Sequence, residues 1–109
     1  MLTPGRKYVD GLVRIAANFQ DEDRLDVDPD TVVFKVMSPS GSITTYTYGD
    51  DVEVVKVNVG DYYVEYSPNA SGRWYYRWQT TGTGTTTAVE GSFIVVRSPF
   101  VDDVSDAYR

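Results

Sequence analysis

The chain has 109 residues, with 16 Asp and Glu against 10 Lys and Arg, a formal charge of −6, and neither cysteine nor histidine. That balance works against a phosphate backbone or an anionic bilayer, where basic residues must replace counterions, so neither nucleic acid nor membrane is an expected partner. Without His and Cys, thiol nucleophiles, Ser-His-Asp triads and the usual zinc ligand sets are absent, and the expectation is not an enzyme and no cofactor.

The length suffices for one domain with its own core. Residues 1–10 read as an N-terminal arm. They open no apolar run long enough for a signal peptide, and no segment of the chain is long and apolar enough to span a bilayer. The product is therefore expected on the cytoplasmic side until assembly captures it. Residues 11–19 alternate Val13, Ile15, Ala17 and Phe19 on one face, which predicts a first strand. An acidic loop follows over residues 20–30 and ends in the turn signal Asp28-Pro29-Asp30. Residues 31–37 are β-branched and apolar, a second strand with Val32, Phe34 and Val36 inward. After the Ser38-Pro39-Ser40-Gly41 turn, residues 43–48 give a third strand. Residues 52–59 set Val55, Val57 and Val59 against Glu53, Lys56 and Asn58, a half-exposed fourth strand.

Residues 60–78 are the densest part of the pattern. Tyr62, Val64 and Tyr66 share one face of a fifth strand. Trp74, Tyr76 and Trp78 share one face of a sixth, with Arg73, Arg77 and Gln79 opposite. Joined by S-P-N-A-S-G, the two read as an antiparallel pair. Each buried ring removes roughly 150–250 Å² from water, worth about 4–6 kcal/mol gross at about 25 cal/mol per Å². Residues 80–86 read as a flexible Gly/Thr hairpin loop, with Thr83 and Thr85 on its surface. Residues 88–97 supply a seventh strand with Phe93 and Val95 inward, and residues 99–109 a polar C-terminal tail. About seven antiparallel strands with a turn signal between each predict an all-β, immunoglobulin-like two-sheet sandwich over residues 11–98.

Four sets of residues are candidates for function. Asp26, Asp28 and Asp30 offer hard oxygen ligands for calcium, although Thr31 and Met37 stand where an EF-hand needs Gly and Glu. The competing reading is a solvated loop, and the scattered acids show no cleft for a glycosidase pair. Tyr46, Tyr48, Tyr63 and Tyr75 fall outside the predicted core. Among them Tyr63 and Tyr75 are candidates for stacking on a glycan, against ordinary cross-strand packing. The loop residues Thr83 and Thr85 are a third set. The fourth comprises Leu2, Tyr8, Phe100, Val101 and Tyr108, apolar residues in polar segments that could dock on a partner, the alternative being frayed ends.

The motifs V-D-P-D-T-V-V-F-K-V-M-S-P-S-G, G-D-Y-Y-V-E-Y-S-P, G-R-W-Y-Y-R-W and A-V-E-G-S-F-I-V resemble small immunoglobulin-like proteins of tailed bacteriophages. The resemblance covers about residues 11–98, and its motifs specify turns and core rather than a reaction. It implies a virion structural protein, a capsid decoration, head fibre or head–tail (neck) component, assembled in the host cytoplasm. Its implied partners are other virion proteins and further copies of itself on the particle, held through the terminal segments. The alternative is a carbohydrate-binding or adhesion module that attaches to a host surface, and a third reading is an interaction domain of a bacterial surface protein.

Overall fold

The computed structural model describes residues 6–82 and 87–97. Its strands are β1 (Arg6–Tyr8), β2 (Val13–Asn18), β3 (Thr31–Met37), β4 (Ile43–Thr47), β5 (Val54–Asn58), β6 (Asp61–Tyr66), β7 (Gly72–Thr81) and β8 (Thr87–Val96). A five-stranded sheet in the order β1-β8-β7-β3-β4 faces a three-stranded sheet in the order β2-β6-β5. Every pairing is antiparallel except β1 with β8, which is parallel. The fold is an immunoglobulin-like β-sandwich, with no helix among the described residues.

The core is where the two inner faces meet. Val13, Ile15, Phe19, Val54, Tyr62 and Val64 come from the smaller sheet; Val32, Phe34, Val36, Trp74, Trp78, Phe93 and Val95 come from the larger. Trp78 lies at its centre, 4.8 Å from Phe34 on the neighbouring strand and 6.2 Å from Phe19 across the sandwich, centroid to centroid. Tilted and edge-on rings of this kind gain from quadrupole alignment as well as from buried area.

β6 and β7 are not the antiparallel pair that their short connection suggests. β6 pairs with β2 and β5, whereas β7 pairs with β3 and β8, so residues 67–71 cross from one sheet to the other. The reason lies in the two bulky faces. As a hairpin, both would point to the same side of one sheet and need a third layer to cover them. Placed in opposite sheets they bury each other, and Tyr66 meets Trp74 edge-on at 5.6 Å. Pro68 is buried in the crossing, and its carbonyl accepts the Asp10 N–H at 2.7 Å.

Three further expectations need correction. In the strand expected at residues 52–59, Val54 faces the core opposite Val64, while Val57 and Val59 are exposed; the register shifts between Lys56 and Asn58. A bulge of this type resets which side chains point inward. Thr80 and Thr81 belong to β7 rather than to a loop, and Thr80 is buried. Residues 6–8, read as part of an arm, form β1 against β8. Gly91 on β8 sits opposite Tyr76, whose ring fills the space a Cβ would need. An aromatic ring from the next strand thus covers the glycine.

Candidate functional site

The acidic loop is tied down by its own carboxylates. Asp28 Oδ2 accepts from Lys56 Nζ at 2.6 Å, while Oδ1 accepts from the Gly60 N–H at 2.8 Å and the Tyr62 hydroxyl at 3.1 Å. The Lys56 hydrogen bond, and after it that of Gly60, holds the Asp28 carboxyl below the usual carboxylate range. The same Lys56–Asp28 bond raises Lys56, and burial first, then Asp28, pushes the Tyr62 hydroxyl up to about 12. Asp26 Oδ1 accepts from Asn18 and Gln20, both at 3.2 Å. The Asp30 N–H donates to the Thr81 carbonyl at 2.7 Å. Asp26 and Asp28 are thus held through their carboxylates by separate partners and Asp30 through its backbone, and among the described residues no group of three or more acids is placed to hold a metal ion. Here they fasten the loop to the sandwich.

The outer face of the five-stranded sheet is chemically different. Because Phe34, Val36, Trp74 and Trp78 point inward, strand alternation sends Lys35, Met37, Tyr75, Arg77 and Gln79 outward. The register then aligns Ile43, Met37, Tyr75 and Ser92 in one row across four strands, and Thr45, Lys35, Arg77 and Glu90 in the next. Ile43 is 57% exposed, Met37 37% and Tyr75 50%. Beside this apolar row, Arg77 pairs with Glu90 and donates from Nε to Gln79 Oε1 at 2.9 Å, and Arg73 donates to Ser92 Oγ at 3.0 Å. Ile43, Met37, Tyr75, Lys35, Arg77 and Glu90 line a shallow depression of about 490 Å³. Lys35, Arg73 and Arg77 against Glu90 give the face a cationic rim on a chain whose net charge is −6.

The structure separates the two glycan candidates. Tyr75 stands on this outer face, whereas Tyr63 is on β6 in the other sheet, with the Arg14 guanidinium 4.0 Å above its ring centroid. Arg14 is itself held by Glu65 at 3.1 Å, a surface clamp over the aromatic face. One sugar cannot stack on both tyrosines. Tyr46 packs against the core, and burial raises its hydroxyl. Tyr48 meets Tyr62 edge-on at 5.2 Å. Tyr8 lies in β1 opposite Val96 and is half-buried, hence part of the sheet. Leu2, Thr83, Thr85, Phe100, Val101 and Tyr108 lie outside the described residues.

Met37 and Ile43 are the contributors that the strand-by-strand reading missed. Alternation from Phe34 and Val36 already sends Met37 outward. Its alignment with Ile43 and Tyr75 requires the order of the strands, which periodicity does not carry.

No protein-family model matches the chain, and no curated protein matches it. Solved structures do. A filamin domain of Lin-41 superposes with a TM-score of 0.66 at 16% identity, over 90% of this chain and 89% of that one. ChiW, a multi-modular, cell-surface-expressed chitinase of Paenibacillus sp. str. FPU-7, gives 0.60 at 24% identity over 85% of this chain and 8% of its own. A Bacteroides vulgatus protein described as a glycoside hydrolase gives 0.57 at 12% identity, over 85% of this chain and 16% of its own. Likeness at these identities is likeness of fold, so the chain is a small immunoglobulin-like sandwich resembling a filamin domain and modules of larger enzymes.

Proposed function

We propose that this chain is a non-enzymatic structural protein of a bacteriophage virion, an immunoglobulin-like subunit that joins a neighbouring capsid or neck protein through the outer face of its larger sheet. The observation that carries the docking role is the exposed row Ile43–Met37–Tyr75 with its rim of Lys35, Arg77 and Gln79. An apolar and aromatic centre inside a polar, hydrogen-bonding rim is the anatomy of a protein interface, and Tyr, Met and Arg are enriched in such patches. The virion as its setting is supported by the sequence resemblance. Two measurements test the reading. Mass spectrometry of purified particles should detect the chain. Met37→Lys, an exposed change that leaves the core intact, should reduce its incorporation about tenfold or more if the row is an interface centre. Incorporation equal to that of the parent would refute the docking face, and deletion of residues 99–109 measures separately what the tail contributes.

A second reading has one observation in its favour: Tyr75 is flanked by Arg77, Gln79 and Glu90, a ring with donors and acceptors beside it, as sugar-binding requires. An adhesion module would bind a glycan array and lose that binding in Tyr75→Ala but not in Tyr63→Ala.

A further inference from the structure

Among the described residues four strands lie at sheet edges, and three of them are blunted against further pairing. β1 has three residues, β2 carries Arg14, and β5 carries Lys56 and a bulge. Short length, charge and bulges are the usual protections of an open edge. β4, Ile-Thr-Thr-Tyr-Thr, has no charge, no proline, no glycine and no bulge, and its composition favours strands.

The hydrogen bonds around β4 show which of its backbone groups are open. The Ser42 carbonyl accepts from Ser38 and the Tyr48 N–H donates to Val32, so even-numbered residues address the β3 side. In an antiparallel ladder the residues between them face away. Thr47 is such a residue, and it is already capped: its N–H donates to Asp51 Oδ2 at 2.8 Å, and its carbonyl accepts the Asp50 and Asp51 N–H groups. Among the described residues, the outward donors and acceptors that remain belong to Ile43 and Thr45.

We propose that the protein forms a two-fold dimer by antiparallel pairing of β4 with β4 of a second copy, the symmetry axis passing at Thr44. In this register Ile43 of each copy exchanges both backbone hydrogen bonds with Thr45 of the other, using every open group and avoiding capped Thr47. A register centred on Thr45 would instead press Ile43 against that cap. The self-complementary spacing of the open groups on Ile43 and Thr45 fits a second copy, and charge sets its antiparallel direction. Gly49-Asp50-Asp51 makes one end of β4 acidic, while Ser38-Pro39-Ser40-Gly41-Ser42 makes the other end neutral. Antiparallel self-pairing sets each acidic turn beside a neutral one; parallel pairing would set acid beside acid. Cross-strand threonines contribute favourably at such a seam. The result is a continuous sheet twice as wide, with the two outer faces side by side. This inference does not depend on the virion reading.

The absence of native cysteine makes the register directly testable. Residues facing each other at a non-hydrogen-bonded antiparallel site have Cα atoms about 4.5 Å apart, inside the range a disulfide bridges. Thr44→Cys should oxidise to a covalent dimer about tenfold faster than Thr45→Cys, whose copies would sit diagonally at about 8–9 Å, beyond disulfide reach. Sedimentation of the unmodified protein should show a dimer that grows with concentration. Thr45→Lys in the Thr44→Cys protein should abolish both the cross-link and the dimer. Its side chain is exposed and its N–H is outward, and circular dichroism checks that the fold is kept. Equal cross-linking at both positions, a monomer at all concentrations, or a dimer that survives Thr45→Lys would each overturn the proposal.

Discussion

Gly60 closes the β5–β6 hairpin at φ +78°, and three segments converge on it. Its carbonyl accepts the Phe19 N–H at 2.8 Å, and its N–H donates to Asp28 at 2.8 Å. A Cβ added there would lie 2.6 Å from the Phe19 carbonyl oxygen and 3.1 and 3.2 Å from the Val27 N and O. All three are backbone atoms, so no rotamer change relieves the contact, and the loop must retreat. Gly60→Ala therefore costs about 1–2 kcal/mol for the left-handed backbone and about 0.5–1.5 kcal/mol for each hydrogen bond broken in the retreat. With both hydrogen bonds broken the total is about 2–5 kcal/mol, which at about 4–8 °C per kcal/mol lowers Tm by at least about 8 °C. Gly41→Ala is the internal control: φ is +95°, but nothing lies within 4 Å, so only the backbone cost of about 1–2 kcal/mol applies. Urea unfolding followed by the fluorescence of buried Trp74 and Trp78 measures both variants. If the two lie within about 1 kcal/mol of each other, the convergence of backbone on Gly60 is not a determinant of stability.

The Asp28 cluster makes stability fall at both ends of the pH scale. The carboxyl is lowered in the folded state, so its contribution is complete above 3.8 and is lost as pH falls through the folded value. The Tyr62 hydroxyl is raised from 10.0 to about 12, so its contribution is complete below pH 10 and is lost as pH rises toward 12. Tyr62→Phe should flatten the alkaline limb of the urea midpoint, leaving the smaller part due to Lys56 and Tyr46, which are also raised; an unchanged limb would refute the assignment. The two tryptophans should differ on truncation. Trp74 Nε1 donates to the Ala70 carbonyl at 2.9 Å, whereas Trp78 Nε1 is buried without a partner among the described residues. Trp74→Phe should therefore cost about 1 kcal/mol more than Trp78→Phe in the same denaturation assay, and the reverse order would contradict that bookkeeping.

The faces of the strands were largely legible in the sequence, because alternation acts within one strand and each inner face carries large apolar groups. Val13 and Ile15, Val32 to Val36, Tyr62 and Val64, Trp74 to Trp78, and Phe93 and Val95 all take the inward side that the period of two assigns. The reading failed on β5, where Val54 pairs with the buried Val64 and the register then shifts between Lys56 and Asn58, leaving Val57 exposed. It also failed where proximity in sequence competes with burial, as between β6 and β7. A short connection favours a hairpin, but two aromatic faces gain more by closing on each other. The Asp28 cluster was beyond reach for a different reason. Its partners lie 28, 32 and 34 residues away, and no local pattern marks a carboxylate that will meet Lys56, Gly60 and Tyr62.

The parts of the molecule open to a partner share one property: they arise from neighbours that only the sheet order supplies. Ile43, Met37 and Tyr75 come from three strands, and none of them is unusual within its own. The open edge of β4 likewise depends on β4 being last in the row and on Asp51 folding back to cap Thr47. Within β4 an uncharged run of threonines suggests only a good strand. At an edge the same run is an unprotected template, next to an apolar row that no second layer covers among the described residues. The sequence places its bulkiest rings where they build the scaffold. In the docking face and the self-pairing edge proposed above, the position in the sheet, rather than the residue type, sets Ile43, Met37, Tyr75 and Thr45 apart from ordinary strand residues.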